Sequence, residues 1–133
     1  MGVTRYLKVF VADDSIVLRE RLLEMLGEIH GIQVVGCAEN GLHAIDCIRR
    51  LRPDAVILDI QMPQGTGLDV LKNIRGTGGA PLFIVFTNFP YPQYRKRALE
   101  CGAQKKFDKT TEFEKLRELF GQLTSSFEPQ GTC

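Results

Sequence analysis

Five side chains in this sequence could cooperate in chemistry: the adjacent carboxylates of Asp13 and Asp14, the carboxylate of Asp59, the hydroxyl of Thr87 and the ammonium of Lys109. Each sits where a short run of strand-like residues stops. Asp13-Asp14 follows Leu7 to Ala12, Asp59 follows Val56-Ile57-Leu58, Thr87 closes the run from Pro81, and Lys109 follows the weaker run Lys105 to Asp108. Three carboxylates brought to one place repel, and at neutral pH they need a cation. An all-oxygen set at a shallow edge suits Mg²⁺, which keeps several waters and takes one or two carboxylates plus a phosphate. Lys109 and Thr87 would then meet the oxygens of a phosphoryl group, whose transfer asks for positioning and charge neutralisation. A carboxylate such as Asp59 can be the nucleophile and form an aspartyl phosphate.

That chemistry requires elements that carry the five residues to one edge. Leu7 to Ala12 reads as a strand, and Ser15 or Asp14 as the N-cap of a helix with the stripe Leu18, Leu22, Met25, Leu26 and Ile29. Gly31 is expected to close that helix. Ile32 to Ala38 reads as a second strand. Asn40 then caps a helix with Ala44, Ile45, Ile48 and Leu51 inward, ended by Arg52-Pro53. Asp54 to Asp59 is a third strand, buried on both faces, and Pro63 ends its ladder. Gly65-Thr66-Gly67 turns into a helix marked by Leu68, Leu71 and Ile74, and Gly76 to Gly79 connects to a fourth strand, Pro81 to Thr87. A proline-stiffened loop, Asn88 to Pro92, leads to a short helix stopped by Gly102. A fifth strand, Lys105 to Asp108, precedes a last helix capped by Thr110 or Thr111, with Phe113, Leu116, Leu119, Phe120, Leu123 and Phe127 inward. Strands alternating with helices five times predict an α/β fold: an open, doubly wound parallel sheet with helices on both faces and right-handed crossovers. Ligands of such sheets bind at the carboxyl ends of the strands, near the switch point.

Composition narrows the classes. The chain has 133 residues, 25% charged and 44% hydrophobic, with a formal net charge of +1. That is ordinary for one soluble domain and gives no global pull toward nucleic acid or membranes. No apolar run reaches the length of a membrane span, and the first residues lack the apolar core of a signal peptide. Cys37, Cys47, Cys101 and Cys133 form no C-x-x-C pair and have no histidine at ligand spacing, so free thiols in a reducing, cytoplasmic compartment are expected. His30 and His43 read as solvent-facing helix residues.

The set Asp13-Asp14, Asp59-Ile60-Gln61-Met62-Pro63 with Gly67, Thr87, Gly102-Ala103 and Lys109 resembles the receiver domain of a two-component response regulator, of the CheY-like superfamily, over residues 7–127. Residues 1–6 and 128–133 are then short terminal tails. The resemblance implies a flavodoxin-like five-stranded sheet of order 2-1-3-4-5 with five helices. It implies that Asp59 accepts a phosphoryl group from the phosphohistidine of a histidine kinase or phosphotransfer protein. It also implies a Mg²⁺ site made by Asp14, Asp59 and the Gln61 backbone carbonyl, with Asp13 acting through metal-bound water. Thr87 would hydrogen-bond the phosphoryl oxygen and Lys109 would form its salt bridge. An output protein would meet the face of the fourth helix, fifth strand and fifth helix, and homodimerisation on activation is a further expectation. Such a chain is a phosphoacceptor, with self-catalysed transfer and slow autodephosphorylation, and is not expected to be an enzyme.

Four positions depart from the family pattern. Lys106 stands where Tyr or Phe is frequent, and since a lysine does not bury cheaply, switching is expected to rest on the loop after the fourth strand. Asn88 follows Thr87 where a small residue is common. Phe89 is expected to shield the phosphoryl group, and Thr110 replaces a frequent proline after Lys109. Arg95, Lys96, Arg97, Lys105 and Lys106 give the output face a basic cast that reads as solvated surface. Among rival classes, an aspartyl-phosphate phosphatase of the haloacid-dehalogenase type wants an acid two residues after the nucleophile, and Gln61 is there instead. A flavodoxin-like cofactor binder lacks a phosphate-cradling loop after the first strand. Two alternatives stay open: the receiver fragment of a DNA-binding transcription regulator, and a phosphorylation-independent protein-interaction domain. No helix-turn-helix follows residue 127, so direct nucleic-acid binding by this chain is not expected.

Overall fold

The computed structural model describes residues 6–74, 81–88 and 92–127, with the side chains of 92–95 and 126–127 outside that description. Ten elements alternate: β1 (Leu7–Ala12), α1 (Ile16–Gly27), β2 (Ile32–Ala38), α2 (Gly41–Leu51), β3 (Ala55–Leu58), α3 (Gly67–Ile74), β4 (Leu82–Thr87), α4 (Pro92–Glu100), β5 (Lys105–Asp108) and α5 (Phe113–Phe127). The strands form one sheet in the order β2-β1-β3-β4-β5, and every neighbouring pair is parallel. This is the flavodoxin-like doubly wound architecture expected from the sequence.

The alternation of strand side chains builds the two faces. Phe10 and Ala12 of β1, Val56 and Leu58 of β3, and Phe83 and Val85 of β4 pack with residues of α2, α3 and α4. Their neighbours Val9 and Val11, Ala55 and Ile57, and Ile84 and Phe86 pack against α1 and α5. β1 and β3 are buried throughout apart from Lys8, as the central strands of a two-layered cover must be. The chain leaves β1 toward β2 on one side and later returns to β3 on the other. The order therefore reverses between β1 and β3, and a crevice opens beyond their carboxyl ends.

Local signals set most boundaries. Ser15 caps α1, its Oγ accepting the Leu18 N–H at 3.2 Å, and Asn40 caps α2 by accepting the His43 N–H at 2.8 Å. Arg52 ends α2 in the left-handed region at φ 50°, which breaks the helix one residue before Pro53. Three readings need correction. α1 ends at Gly27, where the Glu28 N–H already turns back to the Met25 and Leu26 carbonyls. Gly31 (φ 97°) instead turns the chain into β2, its carbonyl accepting the Leu7 N–H at 2.8 Å. His30 is thus exposed in a turn, while His43 is exposed on α2. α5 begins at Phe113, and Thr110 and Thr111 lie in the turn before it. Their N–H groups donate to Asp108 Oδ1 at 2.7 and 3.3 Å, and Glu112 Oε1 accepts the Asp108 N–H at 2.8 Å. The carboxylate of Asp108 can reach two N–H groups at once, which a threonine hydroxyl there need not match.

Cys37 is exposed and Cys47 and Cys101 are buried, all three as free thiols; Cys133 lies outside the described residues. Among the described residues, no helix is long and apolar enough to cross a membrane.

Candidate phosphoacceptor and metal site

The crevice holds the acidic cluster. Asp13 follows β1 directly, and its N–H bonds the Ala38 carbonyl of β2 at 3.0 Å. Asp59 follows β3, its N–H bonding the Ala12 carbonyl of β1 at 2.9 Å. Ladder bonds carried one residue past each strand therefore fix both carboxylates. Asp13 and Asp59 are 2% and 3% exposed, whereas Asp14 points to solvent. One carboxylate oxygen from each of Asp13, Asp14 and Asp59 falls within 4.8 Å of the others. Three clustered carboxylates offering only oxygen donors suit Mg²⁺ in donor type and charge.

Lys109 reaches into this cluster from the end of β5. Its Nζ lies 2.6 Å from Asp13 Oδ2 and 3.1 Å from Asp59 Oδ2, with the side chain 9% exposed. A buried ammonium between two buried carboxylates satisfies part of the charge but leaves the set net negative. Asp59 shows the result. Burial raises its pKa from the ordinary 3.8 to about 6; Lys109 opposes that rise and Asp13 adds to it. Its second oxygen, Oδ1, accepts the Gln61 N–H at 3.3 Å.

Asp13 and Asp14 differ in what is left over. Asp13 Oδ1 accepts the Ser15 N–H at 2.8 Å, Oδ2 meets Lys109, and its carbonyl accepts Arg19 Nη1 at 2.6 Å. With its N–H bonded as well, every polar group of Asp13 has a partner. Among the described residues, none hydrogen-bonds the Asp14 carboxylate. Sequence reading did not single out Arg19; the available signal was an arginine one helical turn past the Ser15 cap, beside the acidic pair.

Thr87 closes β4 and is fully buried. Its carbonyl accepts the Lys109 N–H at 3.1 Å, so the ends of β4 and β5 are tied at the site. Asn88 and Thr110, two of the departures from the family pattern, face one another. Thr110 Oγ1 lies 3.3 Å from Asn88 Oδ1 across these two loops. Lys106 pairs in register with Val85 and is half-buried, while Phe107 packs on the α1 and α5 side. Phe89 and the Arg95 side chain fall outside the described residues; Lys96, Arg97 and Lys105 are exposed.

Two glycines hold the loop after β3 in place. A Cβ on Gly67 would stand 2.3 Å from the Asp59 carbonyl oxygen, and the Gly67 N–H bonds the Ile60 carbonyl at 2.9 Å. A Cβ on Gly41 would stand 2.0 Å from the Gly65 carbonyl oxygen. The start of α2 also donates to the Pro63 and Gln64 carbonyls at 3.3 and 2.9 Å. The backbone of Asp59 is thereby clamped from α3, and the loop behind it from α2.

The family model described as the response regulator receiver domain matches residues 9–120. The chain is 35% identical over 119 residues to a protein-glutamate methylesterase/protein-glutamine glutaminase of Methanospirillum hungatei, covering 88% of this chain and 35% of that one. It is 37% identical over 118 residues to an uncharacterized response regulatory protein of Yersinia pestis, covering 89% of this chain and 48% of the other. The chain thus spans about a third to a half of the length of these curated relatives. Among solved structures, the response regulator domain of Thermotoga maritima CheB superposes with a TM-score of 0.80 at 26% identity, covering 92% of this chain and 96% of that one. A DNA-binding response regulator of the LuxR family from Staphylococcus aureus superposes at 0.81 with 29% identity, covering 88% and 98%. The chain belongs to the response regulator receiver family, the phosphoacceptor modules of two-component signal transduction.

Proposed function

We propose that Asp59 is the phosphoacceptor of this receiver and that Asp13, Asp14, Gln61, Thr87 and Lys109 serve its transfer. The observation that carries the reading is Lys109 Nζ held 2.6 Å from Asp13 and 3.1 Å from Asp59. An Asp59 oxygen attacks phosphorus of a partner's phosphohistidine. The P–N bond breaks, and its electron pair stays on the imidazole nitrogen, which takes up a proton. Asp14, Asp59 and the Gln61 carbonyl would hold a Mg²⁺, which would supply charge neutralisation for the phosphoryl oxygens. Asp13 would serve the ion at one remove, its carboxylate held in place by the Ser15 N–H and Lys109. Lys109 pairs with the phosphoryl group and the Thr87 hydroxyl donates to it, and their approach shifts the loops that carry them.

Large apolar side chains flank this crevice: Ile16 and Val17 at the start of α1 and Leu42 at the start of α2 are 61%, 69% and 65% exposed. They suit docking of the histidine kinase or phosphotransfer protein. The output partner meets the α4, β5 and α5 face, which also serves for homodimerisation on activation. We read the chain as a cytoplasmic phosphoacceptor with slow autodephosphorylation rather than an enzyme with a separate substrate, and as making no direct contact with nucleic acid.

A second version is favoured by one observation, the small share of its relatives that the chain spans. In it, these residues are the receiver of a longer regulator whose output lies elsewhere. Both versions share one test. Backbone NMR with Mg²⁺ and beryllofluoride, a phosphoryl mimic, is expected to shift Thr87, Asn88 and Lys109 in the parent and not in Asp59→Asn. Equal spectra with and without the mimic would refute phosphoryl switching and favour a phosphorylation-independent interaction domain.

A further inference from the structure

We infer that Arg19 is a positioning residue for the metal site, an assignment that rests on the reading of Asp13, Asp14 and Asp59 given above. Arg19 lies on the second turn of α1, where helical side chains lean back toward the N-terminus. That direction carries its guanidinium over the Ser15 cap to the loop beyond β1. Nη1 donates to the Asp13 carbonyl at 2.6 Å, a charge-assisted bond, and Nη2 comes 4.0 Å from Glu39 Oε2 in the loop after β2. The side chain is 15% exposed. A cation at this end of a helix opposes the macrodipole, so helix stability alone does not account for it.

The bond acts on the peptide joining Asp13 to Asp14. Asp13 is held at its N–H by Ala38, at Oδ1 by Ser15 and at Oδ2 by Lys109, whereas none of the described residues anchors the Asp14 carboxylate. Pinning the carbonyl between them fixes the plane of the peptide from which Asp14 projects. Arg19 therefore pre-sets the solvent-facing ligand without touching the ion. Two opposing effects are separable. Positioning strengthens Mg²⁺ binding, whereas the positive charge, acting at longer range, weakens it. With Arg19 committed to a carbonyl, positioning dominates.

The test is Mg²⁺ titration followed by backbone NMR, using MgCl₂ alone, on the parent and on Arg19→Ala, Arg19→Lys, Glu39→Gln and Asp14→Asn. Arg19→Ala is expected to weaken Mg²⁺ at least fivefold, Arg19→Lys to recover to within about threefold, and Glu39→Gln to stay within twofold. At saturating Mg²⁺ the acetyl phosphate labelling rate of Arg19→Ala is expected to return to within twofold of the parent. A purely structural role would lower the melting temperature and leave the Mg²⁺ constant in place. An Arg19→Ala constant within twofold of the parent, or tighter, overturns the inference. Parent binding that Asp14→Asn leaves unchanged overturns the metal-site reading itself, and the positioning role with it.

Discussion

Lys109 sits closer to Asp13 than to Asp59, 2.6 Å against 3.1 Å, although Asp59 is the proposed acceptor. The ammonium therefore leans on Asp13 and leaves Asp59 the less closely paired of the two. Removing it leaves two buried carboxylates without a cation. Breaking a buried ion pair from one side typically costs about 3–5 kcal/mol. Lys109→Met is expected to lose stability of that order in metal-free urea melts and to regain much of it in saturating Mg²⁺. A loss that Mg²⁺ does not change would mean that the ion does not share this site.

The Asp59 pKa of about 6 sets a pH dependence. The folded state holds the Asp59 proton more tightly than the unfolded chain does. The associated stability is present below the ordinary 3.8 and is lost as pH rises through about 6. The difference amounts to about 3 kcal/mol. Asp59→Asn carries no such loss. Without Mg²⁺ it is expected to be the more stable protein at pH 7.5, by a margin that closes as pH falls toward 4. Denaturant melts of both across that range read it.

The same proton competes with the metal. Below about 6, Mg²⁺ must displace it, so affinity is expected to fall about tenfold per pH unit and to level off above 7. Titrations at pH 5, 6, 7 and 8 check the slope. A flat profile would place the ion away from Asp59.

Backbone crowding gives a sharper contrast. Gly67→Ala would put a methyl carbon 2.3 Å from the Asp59 carbonyl oxygen, which must move, and the carboxylate with it. A loss of about 1–3 kcal/mol and slower phosphorylation are expected. Gly27 has open space around its position, so Gly27→Ala is expected to stabilise by about 0.5–1 kcal/mol with unchanged phosphorylation.

The turn before α5 predicts the outcome of restoring the frequent family residue. Thr110→Pro removes the N–H that Asp108 accepts at 2.7 Å and the hydroxyl facing Asn88. A destabilisation of about 1–2 kcal/mol is expected by thermal melting.

Much of this arrangement was legible in the chain. Apolar runs stopping at Asp13, Asp59 and Thr87 marked both the strands and their chemically active ends, because a polar group that ends a buried strand and stays buried needs partners gathered from neighbouring strand ends. Ser15 and Asn40 were legible as caps because their bonds span only three residues. What escaped depends on distant partners. Glycine after a helix and threonine before one are common signals, yet Gly31 serves β2 and Thr110 answers to Asp108. Arg19 looked like any polar residue on an amphipathic helix until the fold placed its guanidinium over the Asp13 carbonyl. The Gly41 to Gly65 approach likewise joins loops that only tertiary packing brings together.

The most direct test of the central claim is intact-mass spectrometry after incubation with acetyl phosphate and Mg²⁺, with Asp59→Asn and a chelator control alongside. The account predicts a gain of one phosphoryl group by the parent and none in either control. Labelling that survives in Asp59→Asn, or a parent that gains nothing from acetyl phosphate or from a cognate kinase, would contradict it.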